Sequence, residues 1–249
     1  TNEDGVVMTG DVLDPKEYQI EEVRSPDGYL LNTEPMKFKV SMDTAYETLP
    51  DGETPVITVK FKDKAVQGQI NVQKLGEVLT NVRTDKMGNK QFEYEERGIP
   101  GAVYEIKAAE NIMDPSNDGT ILYKKGTVVD TVTTTDGGKA TTKKLPLGSY
   151  EISEKQAPDG FVLNGISQTV ELTYKDQNTS IVFDAASFTN ERQKVELSVL
   201  KEDAETSTPL SGALFGLYAK TDILDAAGNV VVSSSIGLIP VMMVSLHSM

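Results

Sequence analysis

An internal repeat constrains the fold of this chain more than any other feature of its sequence. Three segments recur in the same order: Tyr18–Asn32 as Tyr150–Asn164, Gln69–Lys74 as Glu196–Lys201, and Gly101–Ile106 as Gly212–Leu217. The third pair is spaced more closely than the second, which indicates an insertion around Thr80–Tyr94. The repeat therefore predicts tandem copies of one domain.

The register of the repeats divides the chain into three units. Residues 1–63 match the C-terminal half of a domain, residues 64–193 a complete domain, and residues 194–249 the N-terminal half of a third. The tail from about residue 233 fits none of the repeats. It is interpreted either as a frameshifted or artificial end or as a native element of another kind. The chain begins without Met and without a basic-then-apolar leader, so we expect an internal or processed piece of a longer protein.

Short strands separated by frequent turns dominate the local pattern. Apolar and polar residues alternate, or nearly so, in Val56–Phe61, Ile70–Lys74 and Val195–Leu200, and Asp-Gly pairs punctuate the chain. The segment Lys107–Met113 is predicted to form a short helix, which Pro115 would end. The pattern predicts an all-β protein made of β-sandwich domains.

Composition argues against several classes of function. The chain has 38 acidic and 24 basic residues, and its net charge of −14 disfavours nucleic acid or an anionic membrane surface as a partner. Because Cys is absent and the one His is His247, disulfides and thiolate sites are excluded, and a His-based triad or metal site is disfavoured. No apolar run reaches the roughly 18 residues of a membrane span. We expect no cofactor, no metal and no enzyme with turnover.

Three polar residues of the 64–193 unit continue the apolar face of a predicted strand. Residues of one parity share a face, and the parity sets are Ile70, Val72 and Lys74; Tyr150, Ile152 and Glu154; and Phe188 and Asn190. Burial should push the lysine and the carboxyl group towards neutrality. A neutral amine is a nucleophile, and a protonated carboxyl group can relay protons. Together the three are equipped for the amine to attack the carboxamide, release ammonia and leave an isopeptide bond.

Each of these residues, taken alone, has a more ordinary interpretation. A lysine that ends a strand is usually a solvated edge residue, a glutamate is usually on the surface or in a salt bridge, and an asparagine is usually a turn residue. The segment Asp114–Gly119 loosely resembles a calcium loop, but it lacks the distant acidic ligand, and a plain turn is favoured.

The motif Tyr150-x-Ile-x-Glu-x-x-Ala-Pro-Asp-Gly-Phe161 resembles the "E-box" of Cna-B-like, SpaA-type (prealbumin-like) domains of Gram-positive pilins and surface adhesins. In that family a lysine on the first strand bonds to an Asn or Asp on the last strand, helped by the E-box glutamate. The resemblance assigns these roles to Lys74, Asn190 and Glu154. It implies tandem prealbumin-like, Ig-like β-sandwiches, one complete and two truncated.

The flanking units match the family pattern in part. The first unit has Glu22 in its E-box and Asp63 at the acceptor position, where bond formation would release water, but its first-strand lysine is missing from the chain. The last unit has Lys201 without an E-box or an acceptor. Incomplete sets are therefore expected on both sides of a complete one.

The resemblance implies a structural function. We expect a stalk or backbone module of an extracellular, cell-wall-associated protein of a Gram-positive bacterium, with neighbouring domains of the same protein as its partners. Its self-crosslinking occurs once and is not enzymatic turnover. The alternative is an adhesin module that binds a host matrix protein, with the Thr80–Tyr94 insertion as its contact loop.

Overall fold

A computed structural model describes residues 1–9, 13–49, 55–86 and 88–234 and the backbone of 242–244. These residues form strands and turns, with no α-helix among them. The described strands are β1 (Glu17–Ile20), β2 (Met36–Lys39), β3 (Glu47–Thr48), β4 (Pro55–Val56), β5 (Gln67–Thr84), β6 (Lys90–Gly98), β7 (Val103–Ala108), β8 (Ile112–Met113), β9 (Ile121–Tyr123), β10 (Val128–Thr133), β11 (Lys139–Thr141), β12 (Leu145–Pro146), β13 (Gly148–Gln156), β14 (Gln168–Leu172), β15 (Ile181–Asn190), β16 (Phe215–Leu217), β17 (Ile223–Leu224), β18 (Val230–Val232) and β19 (Met242–Val244).

Two sheets formed by residues 67–190 pack face to face. The first sheet is organised around the long strand β5, which pairs antiparallel with β6, β11 and β12 and parallel with β15. The second sheet has the antiparallel order β10–β7–β13–β14. The predicted all-β sandwich is thus confirmed. Five two-stranded sheets account for the other described strands: β1–β2, β3–β4, β8–β9, β16–β19 and β17–β18.

Strict alternation of side chains builds the core between the two sheets. In β7 every second residue is buried, and the residues between them are only partly covered. The same period of two runs through the middle of β13 and the end of β15. Strands of both sheets contribute to one apolar cluster, whose members include Ile70, Tyr104, Ile106, Tyr150, Ile152, Leu172 and Phe188. The inner faces of the two sheets pack together and exclude water from the layer between them. Burial of this apolar surface is the main source of stability in such a fold.

The helix predicted over Lys107–Met113 is wrong. Ala108 ends β7, and Ile112 begins β8, so both residues are buried as members of different strands. The four-residue spacing of these apolar residues resembles a helical face in sequence. In the structure a turn separates the two strands.

Two of the alternating segments form little or no strand. β4 stops at Val56, and residues 193–200 are not assigned to any strand. Val195 is 95% exposed, and Leu200 is 71% exposed. A strand needs a neighbour to accept its backbone hydrogen bonds, and among the described residues neither segment has a paired neighbour over most of its length.

The Thr80–Tyr94 insertion, predicted as the contact loop of an adhesin, lies within a β-hairpin. The second half of β5 pairs with β6, starting where Leu75 is opposite Gly98 and ending where Thr84 is opposite Lys90. The Arg83–Glu93 ion pair, with Nε and Oε1 2.8 Å apart, lies across this hairpin. The atypical tail predicted from about residue 233 falls largely outside the described residues, as does His247.

Candidate functional site

The first and last strands of the sandwich lie side by side, and this brings Lys74 close to Asn190. In the parallel pairing of β5 with β15, Lys74 is opposite Phe188, and Asn190 is opposite Gly76. Asn190 therefore lies two residues beyond the position opposite Lys74, on the same inward face. Glu154 reaches the same place from β13 in the opposite sheet.

The carboxylate of Glu154 joins the other two side chains. Its Oε1 lies 2.9 Å from Lys74 Nζ, and both of its oxygens lie 2.9 Å from Asn190 Nδ2, which donates to them. The backbone N–H of Asn164 donates to Glu154 Oε2 at 2.8 Å. Since Lys74 Nζ and Asn190 Nδ2 contact the same oxygen, they are no more than twice that contact distance apart.

The cluster is isolated from water. The side chains of Lys74 and Glu154 are both 0% exposed, and Asn190 is 2% exposed. Lys74 Nζ lies 5.8 Å from the centroid of the Tyr104 ring, and that ring packs against Phe188 with centroids 4.9 Å apart. Tyr104 and Phe188 thus form an apolar wall around the amine, which lowers the local dielectric constant and strengthens electrostatic effects there.

Hydrogen bonding in the cluster is incomplete. Asn190 Oδ1 and the Tyr104 hydroxyl are buried without a hydrogen-bond partner. Lys74 Nζ and Glu154 Oε1 lie at ion-pair distance. Unsatisfied buried polar groups are costly, so they call for an explanation in terms of function.

Burial lowers the pKa of the Lys74 amine, and the nearby Glu154 carboxylate partly opposes this effect. Burial also raises the pKa of Tyr104, with a further contribution from the charge of Glu154, so its hydroxyl stays protonated. A dry environment disfavours the charged form of a buried amine, so burial favours the neutral form of Lys74.

The arrangement therefore supplies a nucleophile, an electrophile and a proton carrier in contact. The neutral amine of Lys74 is a nucleophile, and the carboxamide carbon of Asn190 is the nearby acceptor. Glu154 touches both nitrogens, so it can take a proton from one and give a proton to the other. Fixing these groups in place removes most of the entropic cost of bringing them together.

The incomplete sets predicted on either side behave differently from each other. The backbone N–H of Asn32 donates to Glu22 Oε2 at 2.7 Å, which repeats the contact between Asn164 and Glu154. Burial and the neighbouring Glu22 raise the pKa of Asp63. Lys201 is exposed, and its Nζ donates to the backbone carbonyl of Glu202 at 3.2 Å. The structure thus brings Glu22 and Asp63 together and leaves Lys201 apart from both.

Asn164 is a site residue to which sequence reasoning gave no role. Its backbone N–H orients the Glu154 carboxylate, and its side-chain Nδ2 donates to the carbonyl of Thr189, beside Asn190. Asn32 makes the matching contacts with Glu22 and with the carbonyl of Lys62. The signal was present in the sequence, since both asparagines follow the repeated glutamate by the same number of residues.

The described residues offer no arrangement typical of a metal site or a membrane-spanning helix. Within the ranges described above, no cluster of three or more His, Asp or Glu side chains is arranged to hold a metal ion. The Asp114–Gly119 segment forms a turn in which Asp114 Oδ1 accepts the Ser116 N–H at 2.9 Å. The same part of the chain contains no helix long and apolar enough to cross a membrane.

The sequence matches the SpaA prealbumin-like fold domain family over residues 1–54 and 95–186, which is more than half of the chain. The chain belongs to this family. The expected relationship to SpaA-type, prealbumin-like domains is confirmed.

Solved structures similar to the chain come from several bacteria. The TIE protein of Bacillus anthracis is 23% identical with a TM-score of 0.43, and the match covers 72% of this chain and 26% of that protein. A mutant of the shaft pilin SpaA of Lactobacillus rhamnosus GG is 19% identical with a TM-score of 0.33, and the match covers 69% of each chain. The minor pilin GBS52 of Streptococcus agalactiae is 13% identical with a TM-score of 0.32, and the match covers 76% of this chain and 87% of GBS52. No curated protein matches the sequence.

Proposed function

We propose that this chain is a structural module of a surface protein of a Gram-positive bacterium, and that a Lys74–Asn190 isopeptide bond locks its sandwich closed. One observation carries the proposal: a lysine, a glutamate and an asparagine meet in a dry core between the first and last strands of the sandwich. A stalk of tandem domains needs mechanical strength more than it needs a binding pocket. The excess of acidic residues suits a solvated extracellular rod.

The bond forms by transfer of an acyl group within the chain. Lys74 Nζ attacks the carboxamide carbon of Asn190, and a proton leaves the amine for Glu154. Glu154 then protonates Asn190 Nδ2, the carbon–nitrogen bond to Nδ2 breaks, and ammonia departs. One C–N bond forms and one breaks, so the only product lost is ammonia. Glu154 acts as a general base and then as a general acid.

The position of the bond gives it a mechanical role. Force applied to the two ends of the sandwich acts at the start of β5 and at the end of β15, which lie at opposite ends of a parallel pair. A covalent link between residues 74 and 190 passes the load directly from one strand to the other. The residues between them are then shielded from the force, and the sheets cannot be peeled apart.

A branched tryptic peptide is the direct signature of this bond. Trypsin cuts after Lys64, Arg83, Lys175 and Arg192. With Lys74 acylated, residues 65–83 remain uncut and are joined to residues 176–192. Without the bond, cleavage after Lys74 yields residues 65–74 and 75–83 as separate peptides.

The matched control for this experiment is Glu154→Gln. This variant keeps the shape and the hydrogen-bond acceptor but cannot accept and return a proton. We expect the branched peptide from the natural chain and the separate peptides from the variant. A natural chain that yields only the separate peptides while its sandwich is folded contradicts the proposal.

The division into one complete and two partial domains, at residues 1–63, 64–193 and 194–249, is part of the same proposal. The repeated contact of Glu22 with Asn32 supports a C-terminal half-domain in the first unit. The proximity of Glu22 and Asp63 supports an acceptor site that lacks its amine in this chain. Lys201 is the corresponding amine of the last unit. Reaction at Asp63 would release water instead of ammonia.

Adhesion to a host matrix protein stays a prediction with its own test. It assigns binding to the Thr80–Tyr94 segment, which forms part of the β5–β6 hairpin. Capture of matrix proteins by the full chain, compared with a chain whose hairpin is shortened, separates adhesion from a purely structural role. Equal capture by both chains, or no capture by either, contradicts it.

A further inference from the structure

The turn that follows the E-box glutamate of the first unit, Pro26–Tyr29, is called its E-box turn, and it docks against the middle sandwich. A Cβ atom added to Gly28 would lie 2.7 Å from the side-chain Cβ of Pro115, which is too close for two carbon atoms, so the contact leaves room only for a glycine. Beside this contact, Tyr29 Oη lies 3.4 Å from Asp114 Oδ1 and donates to it. The turn therefore fits against the β8–β9 hairpin with no space to spare.

The same turn is held from a second direction. The backbone N–H of Ser25 donates to Gln177 Oε1 at 3.1 Å, and that of Leu31 donates to the Gln177 carbonyl at 2.9 Å. The connection between the units is also paired, because the Val66 N–H donates to the Gly28 carbonyl at 2.8 Å. Contacts on two sides of a paired linker restrict rotation about it.

The second junction repeats the backbone pattern of the first. The Gln193 N–H donates to the Gly160 carbonyl at 2.8 Å, as the Val66 N–H does to the Gly28 carbonyl. Phe161 forms an isolated β-bridge with Arg192, as Tyr29 does with Ala65. These contacts link each E-box turn to the linker that follows it.

The hairpin on the far side of the junction is repeated as well. Asp225 follows Gly212 by the same number of residues as Asp114 follows the matching Gly101. Asp225 and Ala226 therefore correspond to Asp114 and Pro115. The strands β17 and β18 pair as β8 and β9 do. Ala226 lines a surface cavity with Pro158 and Phe161, and its N–H donates to the Leu79 carbonyl at 2.8 Å.

We propose that the E-box turn of each unit and the Asp-Pro or Asp-Ala turn of the next unit form a repeated docking interface, which fixes the orientation of consecutive units. The partner of this surface is the following unit of the same chain. The interface makes the tandem array a stiff rod and not a string of freely rotating sandwiches. It is independent of the isopeptide bond, because none of its residues belongs to the Lys74 cluster.

Two glycines provide a matched pair of variants. Gly28 and Gly160 both have positive φ, at 91° and 82°, so an alanine is strained at either position. A Cβ atom at Gly28 collides with Pro115, whereas at Gly160 it meets nothing within 4 Å. Comparison of Gly28→Ala with Gly160→Ala therefore separates the loss of docking from the cost of backbone strain.

The absence of Cys permits a clean distance measurement in the full chain. Lys37→Cys on β2 and Lys139→Cys on β11 replace exposed residues of the first and middle units. Spin labels at these positions report the distance between the units by double electron–electron resonance. We expect a narrow distribution of label-to-label distances in the parent chain and in Gly160→Ala. In Gly28→Ala we expect a clearly broader distribution of these distances.

Two further measurements separate undocking from unfolding. Hydrogen exchange of β1–β2 in Gly28→Ala shows whether the first unit keeps its own structure. Pro115→Gly removes the Cβ atom that collides, so the double variant Gly28→Ala, Pro115→Gly should regain a narrow distribution. A broad distribution in the parent chain, or equal distributions in Gly28→Ala and Gly160→Ala, overturns the proposal. Failure of the double variant to narrow while β1–β2 stays protected also overturns it.

Discussion

Replacement of Asn190 by alanine should remove most of the stability of the sandwich. The variant deletes the acceptor carbon and leaves the ion pair between Lys74 and Glu154 in place. It therefore removes the bond without leaving a buried charge unpaired. Asn190→Asp is the control, because attack of Lys74 on an aspartate side chain releases water and yields the same isopeptide product as the natural chain.

The expected loss comes from the covalent bond. The bond closes a loop from residue 74 to residue 190, and by analogy with a disulfide a loop of roughly 100 residues contributes about 5 kcal/mol. Asn190 Nδ2 leaves as ammonia when the bond forms, so its hydrogen bonds to Glu154 add nothing to the stability of the bonded chain. For a domain of this size, about 5 kcal/mol lowers the Tm by roughly 15 °C or more.

Thermal and denaturant unfolding of the full chain measure this loss. Near-ultraviolet circular dichroism follows the sandwich, because Tyr104 and Tyr150 are fully buried in its core. We expect Asn190→Asp to unfold close to the natural chain and Asn190→Ala to unfold far below it. A loss in Asn190→Ala of no more than about 2 kcal/mol, well below the contribution expected of the closed loop, would refute the reasoning.

Three further predictions concern protons and protection. In Glu154→Gln, Lys74 stays unbonded, and burial lowers the folded-state pKa of its amine below the ordinary value of 10.5. The unfolded state then binds more protons than the folded state, so the free energy of unfolding should rise with pH up to about that value. A free energy of unfolding that stays constant with pH in denaturant titrations contradicts this. When the natural chain first folds, the rate of mass loss should rise with pH, because the reaction needs the neutral amine of Lys74 and burial lowers the pKa at which that amine loses its proton; a rate that falls as the pH rises would contradict this. In hydrogen exchange, residues 1–63 and 194–249 should be less protected than residues 64–193, because their strands lack neighbours that would cover their edges, and uniformly slow exchange would indicate that the two halves complement each other.

The period of two made the centre of the site predictable. Lys74, Glu154 and Asn190 each continue a buried alternating series, and a one-residue shift in register would have placed them in solvent. The repeated motif supplied the order of the strands, because it matches a family in which the first strand lies beside the last. The inward placement of these three side chains follows from the local alternation around each of them.

Features that depend on contacts between distant segments were not predictable in the same way. Val56–Phe61 and Val195–Leu200 have strand-like alternation, yet alternation alone cannot supply a neighbouring strand. The role of Asn164 depends on the direction of one backbone N–H. The Asp114–Pro115 turn shows only turn chemistry in its sequence, and its fit against Gly28 appears once the units are placed side by side.

The mass of the intact, unfolded chain tests the central claim most directly. The natural chain should be one ammonia lighter than its sequence, and Asn190→Asp should give the same mass as the natural chain. Lys74→Ala should show the full mass of its own sequence; this control is needed because Asn164–Gly165 can also lose ammonia by cyclising on its own backbone. A natural chain of full mass, or a loss of ammonia that persists in Lys74→Ala, would contradict the isopeptide account.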